Sequence, residues 1–217
     1  MSEKINLFTS YFQCGNQQRQ RELDFCLEKN KANHLIHKIY LFSERPTYKI
    51  FFEQTRKYPD YINILTNADI YFNETLDYVR FIKPNQCFAL TRWEDYEKKI
   101  VSFETRHIEN KEAKAKHSQD VWIFRGAVKA EVYGNFYLGI PGCDNRIAFE
   151  IGRMYSVINP SKTIQSIHKH RNPVRKYNIP EGSPDRIMGR YKWVDPCAIS
   201  TEGDIVYNHT IHYRGAV

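Results

Sequence analysis

Apolar and polar positions alternate in blocks over the first third of the chain. Short runs of strand-forming residues are separated by segments whose apolar side chains recur at helical spacing. The pattern predicts strands over 5–12, 36–42 and 62–65 and helices over 18–29 and 48–57. In the second helix, Ile50, Phe51 and Phe52 are expected to face inward. Strands that alternate with helices in this way predict a parallel sheet with right-handed crossovers.

Turn-forming residues become more frequent downstream, but the alternation continues. The pattern predicts a short helix capped by Asn73 over 73–80, strands over 86–93, 121–124 and 155–160, and a helix over 146–154. Residues 104–118 are polar and are expected to form an exposed, mobile connection. Residues 173–217 are rich in Arg, Lys, Tyr, Gly and Pro, so we expect them to wrap over the sheet without a core of their own.

The charge balance favours an anionic partner. The 217 residues carry a formal net charge of +7, which suits a nucleotide, a nucleic acid or a membrane surface. The 15 Tyr and 13 Phe suit sugar or base recognition, although most such rings are core residues. No apolar run approaches the ~20 residues that cross a bilayer, and the N-terminus has no signal-peptide core. Five widely spaced cysteines without a CxxC pair favour reduced thiols. We therefore expect a cytoplasmic protein, in the host cytoplasm if the chain is viral.

Asp69 is the first candidate for chemistry, because it follows a strand that the pattern predicts to be buried. The apolar run over 62–65 ends in a polar stretch that delivers this carboxylate. Open α/β sheets keep their ligands at the carboxyl ends of their strands. The alternative is that Asn67 and Asp69 only form a turn between two short strands. The local sequence favours neither interpretation over the other.

Three further residues combine a reactive side chain with a defined position. Asp144 follows a loop rich in Gly and Pro and precedes a predicted helix, where a helix cap is the simpler interpretation and catalysis the alternative. His168 and His170 alternate in a predicted extended segment, so both side chains point to one side. With Lys169 and Arg171 beside them, the pair favours a metal or anion site.

Several short stretches, taken together and in order, resemble glycosyltransferases of the GT-A fold. They are similar to small enzymes of this class in large DNA viruses, such as the capsid-decorating glycosyltransferases of chlorella viruses. The stretches are Asn67-Ala-Asp-Ile-Tyr-Phe72, Ser118-Gln-Asp-Val-Trp-Ile-Phe124, Leu138-Gly-Ile-Pro-Gly-Cys-Asp-Asn-Arg146, Asn159-Pro-Ser161 and His168-Lys-His170. The resemblance implies a single GT-A-type, Rossmann-like α/β domain with a mostly parallel central sheet flanked by helices. It makes 1–177 the nucleotide-sugar-binding and catalytic domain and 178–217 an extension packed on it, which could lead to further domains in a longer protein.

The same resemblance implies a divalent metal, Mn²⁺ or Mg²⁺, that neutralises a diphosphate leaving group. Enzymes of this fold hold the metal with an Asp-x-Asp motif, and Asn67-Ala68-Asp69 occupies that place with an amide as its first member. Asp69 would then be the direct ligand, while Asn67 would hold the ribose or the metal's waters. His168, with His170 as second choice, would supply the C-terminal histidine ligand, and imidazole suits Mn²⁺ better than Mg²⁺.

Position within the family pattern implies the remaining donor contacts. Thr9, Ser10 and Tyr11 lie where the family cradles the nucleoside. Arg45 follows the second predicted strand, where it could approach the base or the ribose. Arg171 could pair with phosphate oxygens even without a metal.

The resemblance also implies the residues that act on the acceptor. Asp144 falls where inverting members keep the carboxylate that removes the proton of the acceptor hydroxyl, and a helix N-terminus would keep it ionised. It is therefore expected to be the base of an inverting reaction. Asp120 is expected to bind hydroxyls of the donor sugar or the acceptor, the alternative being a cap or turn before the strand at 121–124.

These implications define a hexosyl- or deoxyhexosyltransferase that moves a sugar from a nucleoside-diphosphate sugar, a UDP-sugar, to a glycan acceptor on a protein. A second hypothesis is a DNA-base-modifying glycosyltransferase, which the net charge of +7 would favour. A third is a nucleic-acid-binding module, whose basic and aromatic residues are Arg171, Arg175, Lys176, Tyr177, Arg186, Arg190, Tyr191, Lys192 and Trp193. The third hypothesis leaves Asp69, Asp144 and the two histidines unexplained.

Overall fold

The structure is a computed structural model that describes residues 3–96, 99–103, 118–171 and 187–207. Strands β1 to β12 are Ile5–Ser10, Ile36–Phe42, Ile62–Thr66, Ile70–Phe72, Gln86–Leu90, Trp93–Asp95, Ile100–Ser102, Val121–Arg125, Ser156–Ile158, Ser166–His168, Ala198–Ile199 and Ile205–Val206. Helices α1, α2 and α3 are Gln17–Ala32, Tyr48–Thr55 and Cys143–Ile151. A 3₁₀ helix spans Glu74–Phe81.

A six-stranded sheet with the order β2-β1-β3-β8-β5-β9 forms the centre of the molecule. β1 pairs in parallel with β2 and β3, and β5 pairs in parallel with β9. β8 is antiparallel to both of its neighbours, β3 and β5, so it runs against the other strands of this sheet. The prediction of an α/β fold with a mostly parallel sheet is confirmed, while the assignment to the GT-A type stays a prediction. The sequence pattern does not predict the direction of β8.

A second sheet, with the order β4-β10-β6-β7, consists of four short strands. β10 is antiparallel to β4 and parallel to β6. This register places His168 opposite Ile70 on one side and Glu94 on the other. Because Asp69 directly precedes β4, the small sheet brings His168 next to Asp69.

Side-chain caps fix where two of the helical segments begin. Oδ1 of Asn16 accepts a hydrogen bond of 3.0 Å from the backbone N–H of Arg19, which starts α1 at Gln17. Oδ1 of Asn73 accepts from the backbone of the 3₁₀ helix, so the predicted cap at Asn73 is confirmed. Such a cap is worth about 1 kcal/mol. The cap on α1 has a second consequence, since it puts Arg19 in the first turn of the helix.

Apolar side chains cover both faces of the central sheet. On one face, α2 and α3 pack over a cluster that includes Tyr48, Trp122 and Ile147. On the other face, the 3₁₀ helix and β4 pack over a cluster that includes Leu76 and Ile123. Trp122 is fully buried, and truncating such a side chain to alanine costs about 3–5 kcal/mol. The loops at the edge of the sheet are therefore carried by a rigid layer.

Two details of the predicted elements are wrong. Ile50 is 42% exposed, because α2 turns Tyr48, Phe51 and Phe52 toward the sheet and Ile50 lies on the opposite side of the helix. The strand predicted over 86–93 divides into β5, which ends at residue 90, and β6, which begins at residue 93 in the second sheet. The predicted connection over 104–118 lies outside the described residues except for residue 118.

Residues 187–207 pack against the domain. Val194 joins the cluster beneath α2 and α3, and Cys197 and Ile199 join the cluster on the opposite face. β11 and β12 form a small antiparallel hairpin. All five cysteines are free thiols. Over the described ranges, no helix is both long and apolar enough to cross a membrane.

Candidate functional site

A cavity of ≈ 250 Å³ opens where the parallel strands end. It is bordered by the residues after β1, β3 and β5, by those before the antiparallel β8, by the first turn of α1 and by the end of β10. Ligands of open α/β sheets bind at this edge. The lining residues are Ser10, Phe12, Cys14, Asn16, Arg19, Arg45, Asn67, Ala68, Asp69, Arg92, Asp120, Leu138, Gly139, His168 and His170.

Asp69 lies at the centre of a cluster of cationic and imidazole groups. Its Oδ2 accepts a hydrogen bond from Nη2 of Arg19. Nε2 of His168 and Nδ1 of His170 lie 3.3 and 3.5 Å from the same oxygen. The backbone oxygen of Asp69 also accepts a bond of 2.9 Å from the N–H of Lys169, which joins the two segments that carry the cluster. Asp69 therefore belongs both to the turn between β3 and β4 and to the cavity.

Charge interactions keep Asp69 ionised. Burial alone would raise the pKa of Asp69, but His168 and Arg19 outweigh burial and hold it well below its ordinary range. Burial lowers the pKa of His168, yet Asp69 and Glu94 together raise it to about 9. The pKa of His170 is lowered by burial and by the charge of Arg19. At pH 7, His168 is thus protonated and His170 is neutral.

A chain of ion pairs links this cluster to Asp120. Nδ1 of His168 lies 3.0 Å from Oε2 of Glu94, and Oε1 of Glu94 accepts a bond of 2.9 Å from Nε of Arg92. Nη1 of Arg92 then donates to Oδ2 of Asp120 at 2.9 Å. Glu94 is buried, and the guanidinium of Arg92 is neutralised by two carboxylates, those of Glu94 and Asp120. Positive and negative side chains alternate along this series of ion pairs, so loss of one side chain leaves the charges of its neighbours uncompensated.

Asn67 occupies the first position of the predicted Asp-x-Asp motif, and the structure gives a reason for the amide. Its Nδ2 donates a hydrogen bond of 2.7 Å to Oδ1 of Asp120. A carboxylate at residue 67 would lie against the carboxylate of Asp120, and two like charges at that distance repel. The amide instead provides a donor that holds Asp120 in the cavity wall.

Asp144 lies in the first turn of α3 and is not among the residues that line the cavity. The predicted cap role of Asp144 is wrong, because Gly142, with φ of 84°, is the residue from which the helix starts. Oδ1 of Asp144 accepts a bond of 3.1 Å from the Cys143 thiol. Burial, followed by the negative charge of Asp120, raises the pKa of Asp144 to about 7. The expectation that the helix terminus keeps Asp144 fully ionised is therefore wrong, since burial and Asp120 outweigh it.

Once His168 has lost its Nε2 proton, Asp69, His168 and His170 fit a divalent metal ion by the chemistry of their donor atoms. One ligand atom from each of the three lies within 4.8 Å of the other two. Nε2 of His170 is buried and has no hydrogen-bond partner among the residues that the structure describes. One carboxylate with two imidazoles suits Mn²⁺ or a later transition metal better than Mg²⁺. Arg19, which already pairs with Asp69, lies where such an ion would also be attracted.

The residues predicted to contact the donor divide into two groups. Ser10 and Arg45 line the cavity. Thr9 is buried in β1, and its hydroxyl has no partner among the described atoms. The hydroxyl of Tyr11 donates a bond of 2.7 Å to Asp24 outside the cavity. Arg171 is also outside the lining.

Three charged residues of the site escaped prediction from sequence: Arg19 and Arg92, which line the cavity, and Glu94, which joins Arg92 to His168. Arg19 carries a local signal, because a basic residue in the first turn of a helix opposes the helix dipole and so calls for an anion nearby. Arg92 and Glu94 carry none, since their partners Asp120 and His168 are 28 and 74 residues away in the chain. Only the fold brings these pairs together.

Comparison with known proteins gives a distant similarity. No family model and no curated protein matches the chain. Among solved structures, the chain is similar to a glycosyltransferase involved in the glycosylation of the major capsid of PBCV-1. The two are 15% identical in sequence, the match covers 77% of this chain and 94% of that chain, and the TM-score is 0.35. At these values the likeness is one of general fold, and the proposals below rest on the site's own residues.

Proposed function

We propose that the chain is a metal-assisted, inverting glycosyltransferase that moves a sugar from a UDP-sugar to a glycan acceptor on a protein. The observation that carries the proposal is the cluster at the carboxyl edge of the sheet. There the ionised Asp69 meets two histidines and an arginine inside a cavity of ≈ 250 Å³. An enzyme that breaks the bond between a sugar and a diphosphate needs such a concentration of positive charge beside the leaving group.

The arginines of the cavity suit a diphosphate. Arg19, Arg45 and Arg92 all line it. A guanidinium group presents a planar fork of donors that matches two phosphate oxygens at once. Arg45 follows β2 and forms no ion pair with an Asp or Glu among the described residues, so its charge is available to a phosphate or to the uracil ring. The net charge of +7 would add a general attraction for the donor.

A divalent metal, when bound, would supply further charge to neutralise the diphosphate as it leaves. Asp69, His168 and His170 would hold it. Glu94 would fix the orientation of the His168 ring through its contact with Nδ1, so that Nε2 faces Asp69. Asn67 would keep Asp120 in place through its amide.

Asp144 and Asp120 are proposed to act on the acceptor side. Asp144 does not itself line the cavity, but its charge interacts with that of Asp120, which does. With a pKa of about 7, it is proposed to accept the proton of an acceptor hydroxyl bound beside Asp120 at neutral pH, as a general base must. Asp120 lines the cavity with a carboxylate that could also accept hydrogen bonds from sugar hydroxyls. Attack from the face opposite the diphosphate would invert the anomeric centre of the transferred sugar.

The test is a panel of nucleoside-diphosphate sugars with and without Mn²⁺. Thermal stabilisation measures binding, slow hydrolysis of the donor measures activation, and the anomeric form of the released sugar reports the stereochemistry. We expect UDP-sugars to stabilise the protein and to do so more strongly with Mn²⁺. Stabilisation by no nucleotide would contradict the proposal, and a retained anomeric configuration would remove Asp144 from its role as base.

A second arm separates the proposal from a nucleic-acid function. Duplex DNA is titrated at two salt concentrations, and binding that weakens steeply with salt would favour a DNA acceptor. We expect DNA to bind weakly and not to alter the hydrolysis of the donor. DNA that accepts the sugar would replace the glycan acceptor in the proposal while leaving the donor site unchanged.

A further inference from the structure

The guanidinium group of Arg19 and the two histidines share one oxygen atom of Asp69. Nη2 of Arg19 donates to Oδ2 of Asp69, and the nearest nitrogens of His168 and His170 lie 3.3 and 3.5 Å from it. Oδ2 is the Asp69 oxygen that both imidazole nitrogens approach, so a metal held through this oxygen and both histidines would lie close to the guanidinium of Arg19. A guanidinium and a divalent cation repel each other at such a separation. Arg19 therefore lies where the charge of a metal would be.

Arg19 is held in this position by more than Asp69. Its Nη1 donates to Oε2 of Glu22 at 2.9 Å and to the backbone oxygen of Lys169 at 3.4 Å. The Arg19 side chain is only 15% exposed, yet it lines the cavity. These contacts anchor one edge of the guanidinium on α1 and on the residue that follows β10, while the other edge faces Asp69. Glu22 is one turn along α1, so it can keep hold of Arg19 if the contact with Asp69 is lost.

We propose that Arg19 and a divalent metal ion compete for Asp69. Without substrate, Arg19 neutralises the Asp69 carboxylate. When a nucleoside diphosphate enters, the guanidinium would move from Asp69 to phosphate oxygens, His168 would release its Nε2 proton to solvent, and Asp69, His168 and His170 would then hold the metal. The choice of a diphosphate as the second anion rests on the proposed function, whereas the competition itself rests on the shared oxygen. Arginine suits both positions because its fork pairs equally well with carboxylate and with phosphate.

The competition has a consequence for binding order. Metal alone should bind weakly, because it must displace a cation that is already paired. Metal and diphosphate should strengthen each other's binding, because the diphosphate provides the anion to which Arg19 moves. Removal of the Arg19 charge should therefore tighten the binding of metal alone.

The experiment measures the dissociation constant of Mn²⁺ alone by the paramagnetic resonance signal of the free ion. It uses the whole chain as wild type and as Arg19→Gln. The matched control is Arg80→Gln. It also removes one positive charge, but from an exposed pair with Asp77, three residues away on a helical segment as Glu22 is from Arg19. We expect Arg19→Gln to bind Mn²⁺ at least tenfold tighter than wild type, within the usual range of coupling between two sites. Arg80→Gln should bind as wild type does, and Asp69→Asn should bind no Mn²⁺ at this site.

Arg19→Lys provides a second variant if Arg19→Gln does not fold. A lysine ammonium is a compact charge that cannot bridge Asp69 and Glu22 as the fork does, so Mn²⁺ should bind about two- to fivefold tighter. Mn²⁺ affinities of the folded Arg19 variants equal to that of Arg80→Gln would overturn the proposal.

UDP is titrated in parallel to separate this proposal from the proposed glycosyltransferase function. Tighter Mn²⁺ binding with no binding of UDP would leave the competition standing and contradict the glycosyltransferase function. UDP binding with an Mn²⁺ affinity that Arg19→Gln leaves unchanged would contradict the competition and leave the glycosyltransferase function standing.

Discussion

Asp69 and Asp144 are two aspartates with opposite charges beside them: positive groups lie next to Asp69 and a carboxylate near Asp144. Asp69 has Arg19 and His168 against one of its oxygens, and these charges outweigh burial and lower its pKa. Burial and then the carboxylate of Asp120 raise the pKa of Asp144 to about 7, although the bond that it accepts from the Cys143 thiol acts in the opposite direction. Both residues follow turns at the same edge of the molecule. Burial raises the pKa of both, so the charges beside them make the difference: Asp69 stays an anion, and Asp144 becomes a proton acceptor near neutral pH.

This contrast is the physical basis for giving the two acids different roles. A group that anchors a cation must stay charged while substrates come and go, which the surroundings of Asp69 ensure. A general base must take up a proton and release it, which requires a pKa near the working pH. Pairs of acids whose environments separate their pKa values are a recurrent way to divide such work within one site.

The largest effect is expected from Asp69→Asn. The amide keeps the volume but leaves Arg19 and His168 without their shared counter-ion, so the free energy of unfolding should fall by about 3–5 kcal/mol. Donor binding and transfer should be lost together. Urea unfolding and a thermal-shift titration with UDP-sugar measure both. The control is Asp77→Asn, which breaks the exposed pair with Arg80 and should cost less than about 1 kcal/mol. Equal losses in the two variants would contradict the special role of Asp69.

The second effect is expected from Asp144→Asn. The amide cannot accept the acceptor's proton, so transfer should slow by about 10²- to 10⁴-fold. The dissociation constant of the donor should stay unchanged, because Asp144 does not line the cavity. Calorimetric titration of UDP-sugar and a transfer assay on the same preparation give the two values. If transfer proceeds at the wild-type rate, Asp144 is not the base.

The third effect concerns the support of His168. Glu94→Gln replaces the carboxylate next to Nδ1 of His168 by an amide, so metal affinity should fall by about 10- to 100-fold. Asp95→Asn is the matched control, since Asp95 is a buried acid of the same strand that pairs with Lys169 and Tyr71 instead. Its metal affinity should change little. An equal loss of metal affinity in both variants would show that the buried acids of β6 affect metal binding only by stabilising the fold.

The last effect is on the pH dependence of stability. A raised pKa means that the folded state holds the Asp144 proton more tightly than the unfolded chain does. The resulting stabilisation is fully present below the ordinary value of 3.8 and is lost as the pH rises through about 7. For Asp69, whose pKa is lowered, the sign reverses, and stabilisation is lost as the pH falls below 3.8. Urea unfolding between pH 4 and 8 should therefore show Asp144→Asn gaining stability relative to wild type as the pH rises. A constant difference across this range would contradict the raised pKa.

The sequence predicted the first half of the fold well because that half is built from local patterns. The order of β1, α1, β2, α2 and β3 follows from alternating apolar runs, each long enough to define its own period. The direction of β8 has no such local signal, because an isolated apolar strand of five residues fits a parallel or an antiparallel neighbour. Its pairing with β3 and β5 is decided by the fold as a whole.

The candidate site shows the same division. Asp69 was predicted from its position at the end of a strand, and His168 and His170 from their alternation in an extended segment. The structure brings the two histidines around one carboxylate oxygen of Asp69. Arg19 and Glu94 were not predicted. In the sequence, each is one charged residue among several: Arg19 lies on an amphipathic helix and Glu94 in a polar stretch after a strand. Apart from the place of Arg19 in the first turn of a helix, only their distant partners distinguish the two residues from solvated surface charges.

The most direct test of the division between the two acids is one calorimetric and kinetic comparison. UDP-sugar with Mn²⁺ is titrated into wild type, Asp69→Asn and Asp144→Asn, and sugar transfer is measured on the same three proteins. The account predicts that Asp69→Asn loses donor binding, while Asp144→Asn binds the donor as wild type does and fails to transfer the sugar. Donor binding that survives in Asp69→Asn, or that disappears in Asp144→Asn, would contradict it.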